Sequence, residues 1–160
     1  MRPTTLCFPI DKKGRLLLGR KRRGFGIAKW NGFGGKIESG ETFPDCAIRE
    51  LHEESGLVAD PADLELVAFL DFHFQDAPDL DHIGYVYLLH HWQGTVRQTE
   101  EMEPQWFGSH ELPFEEMWQG DRKWIPLIQQ GKMLKGRITF GTDGETVAQM
   151  ELHETSFSNG

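Results

Sequence analysis

The apolar positions fall into short extended runs and two stretches of helical period. Residues 5–10 and 15–19 are apolar runs on either side of Asp11-Lys12-Lys13-Gly14, which predicts two strands joined by a turn. Pro44, Ala47, Ile48 and Leu51 recur at helical spacing, and the pattern predicts a helix over 43–55 with these side chains facing the core. Thr42 is its expected N-cap, Asp45 lies in the first turn where Pro44 is tolerated, and Gly56 stops it. Further strands are predicted at about 64–74 and 83–92, the latter carrying Tyr85 and Tyr87. A second helix is expected from Asp121 to Gln130, with Pro126 as a disturbance unless it falls in the first turn. The end reads as a hairpin, 136–140 and 145–152, around Gly141-Thr142-Asp143-Gly144. Helices interleaved with mixed strands indicate an α/β fold, a helix–sheet–helix sandwich.

No repeat or low-complexity linker interrupts the pattern, so a single domain over 1–160 is expected, a length that suits one sizeable core. No apolar run approaches a membrane span, and the N-terminal Met1–Thr5 lacks the apolar stretch of a signal peptide. Cys7 and Cys46, without CxxC spacing, read as two free thiols in a reducing, cytoplasmic setting. Seventeen basic against 25 acidic residues give a net charge of −8, which argues against a polynucleotide partner. The basic residues are nevertheless clustered: Lys21, Arg22 and Arg23, then Lys29 and Lys36. Such a cluster, helped by metal ions, suits a small polyphosphate. The same region, 24–40, holds six glycines and predicts backbone shaped to approach a ligand.

That glycine-rich stretch leads into the most informative segment, Arg49-Glu50-Leu51-His52-Glu53-Glu54. At ~100° per residue, Glu50, Glu53 and Glu54 fall within an arc of roughly 100° on one face. They repel one another and crowd negative charge toward the wrong end of the helix dipole. A solvated acidic face is one reading. The other is a site for a hard cation such as Mg²⁺, which takes oxygen ligands and activates water.

From Gly35 the chain reads G-x5-E-x7-R-E-L-x-E-E-x-G-L, through Glu41, Arg49, Glu50, Leu51, Glu53, Glu54, Gly56 and Leu57. This spacing resembles the Nudix box, here residues 35–57, and matches it at all nine specified positions. The resemblance implies the Nudix α/β/α sandwich with a mixed central sheet, and water attack on a nucleoside-diphosphate linkage with Mg²⁺, or Mn²⁺ in its place. It implies that Glu50, Glu53, Glu54 and the Gly34 carbonyl serve the metal, and that Glu41 and Arg49 pair structurally. Glu101 resembles the distal family carboxylate, a metal ligand or base; Glu54 is favoured as the base, with Glu53 beside it and Glu100 a further candidate.

Outside the box, Lys21–Gly26, Lys29–Lys36, Glu101–Phe107 and Pro113–Trp118 resemble family members acting on oxidised purine nucleoside triphosphates. By that resemblance Thr5, Phe25, Asn31, Phe72, Trp118 and Asp121 would line a purine pocket, with Lys21, Gly35 and Lys36 toward phosphate. A Trp face stacks on any base, while Asn and Asp read donor and acceptor edges. Trp30, Trp106 and Trp124 read as core or wall, and Asn31 can also be a turn residue. His73, His82, His90 and His91 show no metal-ligand spacing and read as sheet or surface residues. Those family members carry two adjacent aspartates where this chain has Gly120-Asp121, and an apolar methionine near its Asp81-His82. Lacking a carboxyl neighbour, Asp121 is expected to stay ionised and to favour a guanine edge. Another diphosphate substrate (ADP-ribose, a dinucleotide, a capped RNA end) is the alternative within the family. A non-catalytic nucleotide-binding module is disfavoured by the intact glutamates.

Overall fold

Apolar side chains on both faces of the first two strands determine how the layers stack. Phe8, Leu16 and Leu18 pack in one buried cluster with Trp124, Ile125 and Ile128. Their strand neighbours Cys7 and Leu17 pack in another with Phe33, Leu51 and Leu57. Side chains alternate across a strand, so strands buried on both faces need a layer on either side. Here the two helices supply those layers.

The computed structural model describes residues 2–157; Met1 of the N-terminal stretch and the last three residues of the expected 1–160 domain lie outside them. The elements run β1 (Arg2–Pro9), β2 (Leu16–Lys21), β3 (Trp30–Asn31), α1 (Phe43–Ser55), β4 (Leu64–Phe74), β5 (His82–Leu89), β6 (Met102–Phe107), α2 (Asp121–Gln129), β7 (Met133–Phe140) and β8 (Val147–Thr155). A five-stranded sheet has the order β1-β5-β4-β7-β8, and a three-stranded sheet the order β3-β2-β6. In the first, β1–β5 and β4–β7 are parallel while β5–β4 and β7–β8 are antiparallel, so the sheet is mixed as expected. Among the described residues no helix is long and apolar enough to cross a membrane.

Helix α1 matches the expected span, with Thr42 Oγ1 accepting from the Asp45 amide and Gly56 closing it at φ 84°. Its buried side differs from the apolar stripe read from the sequence. Pro44 and Ile48 are half-buried, while Cys46, Ala47, Leu51, Glu54 and Ser55 are buried. The helix therefore buries a carboxyl group. Helix α2 runs through Pro126, because the carbonyl that loses its partner belongs to solvent-exposed Arg122 and can be hydrated. Strand β6 was hidden in the sequence by Glu103, Pro104 and Gln105. It is an edge strand, where a proline is tolerated, and it exposes Glu103 and Gln105. Strand β5 ends at Leu89, three residues before the expected limit of 92, and His90 and His91 are exposed beyond it. The terminal hairpin is present, with β8 shifted to Val147–Thr155.

The glycine-rich stretch is laid along β1. The Cys7 and Phe33 backbones exchange hydrogen bonds of 2.6 and 2.9 Å, and the Thr5 amide donates to the Gly35 carbonyl at 2.9 Å. The approach is so close that a Cβ on Gly34 would stand 1.7 Å from the Thr5 carbonyl oxygen. Gly40, by contrast, has φ +80°, and a Cβ there would meet nothing within 4 Å, so only backbone strain opposes a side chain. Gly34→Ala is expected to destabilise the fold by more than ~2 kcal/mol, and Gly40→Ala by ~1 kcal/mol. Urea unfolding of the two variants checks this; equal, mild losses would contradict the close approach.

Candidate active site

A cavity of about 490 Å³ opens between the glycine-rich stretch, the first strands of the main sheet and the start of α2. All nine residues expected to bind substrate line it: Thr5, Lys21, Phe25, Asn31, Gly35, Lys36, Phe72, Trp118 and Asp121. Gly34 and Glu54 also belong to its wall.

One end of the cavity is aromatic. The turn 22–29 uses positive φ at Gly24, Gly26 and Ala28, and it sets Phe25 against Trp118 (5.1 Å between centroids) and Phe74 (5.8 Å). Lys29 lies over the Trp118 ring at 5.1 Å. At the base of this end Asp121 is buried, with Oδ1 accepting from the Trp124 indole at 3.2 Å and Oδ2 lacking a partner. Burial pushes its carboxyl up to about 7, against the opposing pull of its hydrogen bonds and of Lys29. This corrects the expectation that Asp121 stays ionised: near neutrality it exists in both forms. Gly120 is buried away from the cavity, where a Cβ would meet Met150 at 3.0 Å and Ile138 at 3.4 Å. A second carboxyl there would face apolar groups. Trp124, read as core or wall, is buried and bonded to Asp121. Asn31 is in β3 and accepts from the Gly32 amide at 2.8 Å, which leaves its amide NH₂ for a ligand.

The other end is acidic. Glu54 is only 4 % exposed, and its Oε1 accepts from the Gly34 amide at 2.9 Å. Burial first, then the Glu50 carboxylate, push Glu54 up to about 8. Burial also raises Glu50. Glu50, Glu53 and Glu101, although on the expected side, are taken up by arginines. Arg49 Nη1 lies 2.9 Å from Glu50 and 3.3 Å from Glu53, while Arg23 pairs with Glu101. The Arg23 pair holds Glu101 below the usual carboxylate range. Among the described residues no three His, Cys, Asp or Glu side chains converge as a metal-holding group, so Glu50, Glu53, Glu54 and Glu101 are neighbours that are not brought together. The fit to a divalent cation rests on other features. Two mutually repelling, desolvated carboxyls, Glu50 and Glu54, stand side by side, which a cation would relieve. The missing Cβ of Gly35 makes room for the Glu50 carboxylate, which would lie 2.6 Å from it.

Glu41 and Arg49 pair as expected, with Nε to Oε2 at 2.7 Å and Nη2 to Oε1 at 3.0 Å. Arg49 also reaches the Lys36 carbonyl at 3.3 Å, so the pair ties the loop to the helix. The sequence reading did not name Phe74 as a cavity residue, placed Lys29 only in the basic cluster, and read His82 as a sheet or surface residue; all three line the cavity. Phe74 could have been found from strand period alone, since it is two residues beyond Phe72, whereas His82 is placed by the register that pairs it directly across from Phe72. Cys7 and Cys46 are free, as expected, and both are buried.

The comparisons with known proteins agree with this geometry. The family profile described as NUDIX domain matches residues 1–128. The chain belongs to the Nudix family. It is 44 % identical over 140 residues to the oxidized purine nucleoside triphosphate hydrolase of Mus musculus, covering 88 % of this chain and 87 % of that one. It is 42 % identical over 131 residues to the protein of the same name from Danio rerio, covering 82 % of each. The crystal structure of a mutator MutT protein from Bacillus halodurans superposes with a TM-score of 0.80 at 25 % identity, covering 95 % of this chain and 97 % of that one. Nudix hydrolases use divalent metals such as Mg²⁺ or Mn²⁺. Strands β7 and β8 lie beyond the matched residues, yet β7 pairs with β4 and Phe140 closes the cavity wall.

The Arg49 guanidinium depresses Glu41 to about 2 from an ordinary value of 4.5. A depressed carboxylate contributes stability that is full above its unfolded value and lost as pH falls through the folded one. Glu41→Gln is therefore expected to lower stability by ~1 kcal/mol or less at pH 7, a solvent-screened amount, with the gap to wild type closing between about pH 4.5 and 2. Denaturant midpoints across that range measure it; a gap independent of pH would contradict the pairing.

Proposed function

We propose that this Nudix enzyme hydrolyses purine nucleoside triphosphates oxidised at C8, releasing monophosphate and pyrophosphate and so clearing damaged nucleotides from the pool. The observation that carries the reading is that Glu54 and the base-side residues Asn31, Trp118 and Asp121 share one cavity. The mouse and zebrafish relatives, named for oxidised purine triphosphates and similar over most of the chain, support the substrate class.

In this reading Glu50, Glu54 and the Gly34 carbonyl would hold Mg²⁺, or Mn²⁺ in its place; Glu50 and Glu53 would first release Arg49, and Glu101 would release Arg23. When bound, the ion neutralises polyphosphate charge and acidifies water. Lys21 and Lys36 meet phosphate oxygens beside the Gly34–Gly35 backbone. Trp118 stacks on the base, Asn31 donates to an acceptor on its edge, and Asp121 reads the remaining edge. Water supplies the oxygen that forms the new bond to phosphorus, the bridging oxygen–phosphorus bond breaks, and Glu54, which a neighbouring cation would hold in its ionised form against the effect of burial, takes the proton. Glu54 is preferred to Glu101 as the base because it is buried in the cavity wall, whereas Glu101 lies outside that wall and is held by Arg23.

Two outcomes are expected. Glu54→Gln should reduce kcat by at least ~10²-fold with the fold intact, since the amide oxygen can still accept from Gly34. Phosphorus NMR of the wild-type products should show monophosphate and pyrophosphate; nucleoside diphosphate with free phosphate, or turnover confined to ADP-ribose or dinucleotides, would overturn the reading. The Asp121 carboxyl, titrating at about 7, also sets a pH signature. The ionised form accepts from the N–H groups of a guanine edge, and the protonated form donates to the ring nitrogen of an adenine edge. The ratio of kcat/KM for 8-oxo-dGTP over 8-oxo-dATP should therefore rise with pH, by up to roughly 100-fold from pH 6 to pH 8. It should be flat in Asp121→Asn; a flat wild-type profile would contradict the role given to Asp121.

A further inference from the structure

His82 begins β5 inside the cavity wall, directly across from Phe72 of β4 and opposite Arg2 of β1. Its ring lies nearly parallel to Phe72, with centroids 4.9 Å apart at 24°, and to Phe74 at 6.2 Å and 23°. This stacking fixes the ring plane. Nδ1 is 2.8 Å from the Leu80 carbonyl, and a carbonyl only accepts, so Nδ1 carries a hydrogen. A neutral imidazole protonated at Nδ1 has its lone pair at Nε2, and Nε2 has no partner among the described residues.

Resting on the function proposed above, we infer that His82 is a specificity-determining residue, whose Nε2 accepts the N7–H of a C8-oxidised purine. The chemistry discriminates because oxidation at C8 reverses the character of N7. An ordinary purine presents a lone pair at N7, which would meet the Nε2 lone pair unfavourably. The 8-oxo form carries a hydrogen at N7 and presents a donor. A site built to hydrogen-bond one partner rejects the analogue that cannot pair, because its buried polar atom is left unsatisfied. Burial keeps the imidazole neutral, as does the charge of Arg2, against the opposing influence of the Leu80 carbonyl and Asp81. Asp81 itself is occupied elsewhere, accepting from the Phe74 amide at 2.8 Å and facing His73 Nδ1 at 3.2 Å.

The test is calorimetric binding of 8-oxo-dGMP, dGMP and 8-bromo-dGMP to the wild type, His82→Phe and His82→Gln. The bromo nucleotide has a substituent at C8 and a lone pair at N7. Wild type should bind 8-oxo-dGMP at least ~10-fold more tightly than either of the others. His82→Phe keeps an aromatic ring against Phe72, and should bring that preference below ~2-fold by weakening 8-oxo-dGMP alone. His82→Gln, whose side-chain oxygen can accept, should restore part of it. An undiminished preference in folded His82→Phe, or 8-bromo-dGMP bound by wild type as tightly as 8-oxo-dGMP, would overturn the inference. Hydrolysis of 8-oxo-dGTP by the wild type, assayed in parallel, tests the proposed function separately. Turnover with an unchanged binding ratio removes only the role of His82, and absent turnover removes the wider reading.

Discussion

The organisation of this molecule depends on one buried carboxyl. Glu54 stands on the core side of α1, with the Gly34 amide as its only hydrogen-bonding partner among the described residues. Burying a carboxylate beside Glu50 is unfavourable unless something opposes it, and a single amide does so only in part. The surrounding structure makes sense as the means of holding that arrangement in place. Gly34 lacks a Cβ because Thr5 of β1 occupies the space, and Gly35 lacks one because Glu50 does. The Glu41–Arg49 pair then fastens the loop to the helix, and Arg49 spreads its charge over Glu50 and Glu53. A cavity wall with a raised carboxyl on one side and a clamped loop on the other is a place prepared for positive charge.

The second half of the site is built on a different principle. Phe25, Phe72, Phe74, Trp118 and Phe140 make a largely apolar chamber, and Asp121 is buried at its base with one oxygen unpaired. Low polarity raises the proton affinity of Asp121, as it does that of Glu54, but here the consequence is for recognition. A carboxyl near its midpoint at neutral pH can donate or accept, so one aspartate can do what two adjacent ones would otherwise share. His82, held in one tautomer by Leu80, offers a fixed acceptor in the same chamber.

Much of this is legible in the chain itself. The helix over 43–55, its Thr42 cap and Gly56 stop follow from local chemistry, and the Glu41–Arg49 pair is what the resemblance to the Nudix box implies. The nine residues proposed for substrate from the resemblance all line one cavity. What escaped has physical causes. Strand β6 carries exposed Glu103 and Gln105 around a proline, so its pairing with β2 leaves no apolar run to read. The protonation of Asp121 depends on burial by elements far apart in sequence, which no local pattern records. The carboxylates Glu53 and Glu101 face arginines rather than one another, a choice settled by side-chain geometry.

The central claim is that one cavity holds the base against Trp118 and Asp121 while its Glu54 end receives the polyphosphate. The most direct measurement is a crystal structure with Mg²⁺ and a non-hydrolysable imido analogue of 8-oxo-dGTP. The base is expected between Trp118 and Asp121, with phosphate oxygens at the Gly34–Gly35 backbone and the cation on Glu50 and Glu54. Binding of the base outside this chamber, or of the triphosphate away from Glu54, would contradict it.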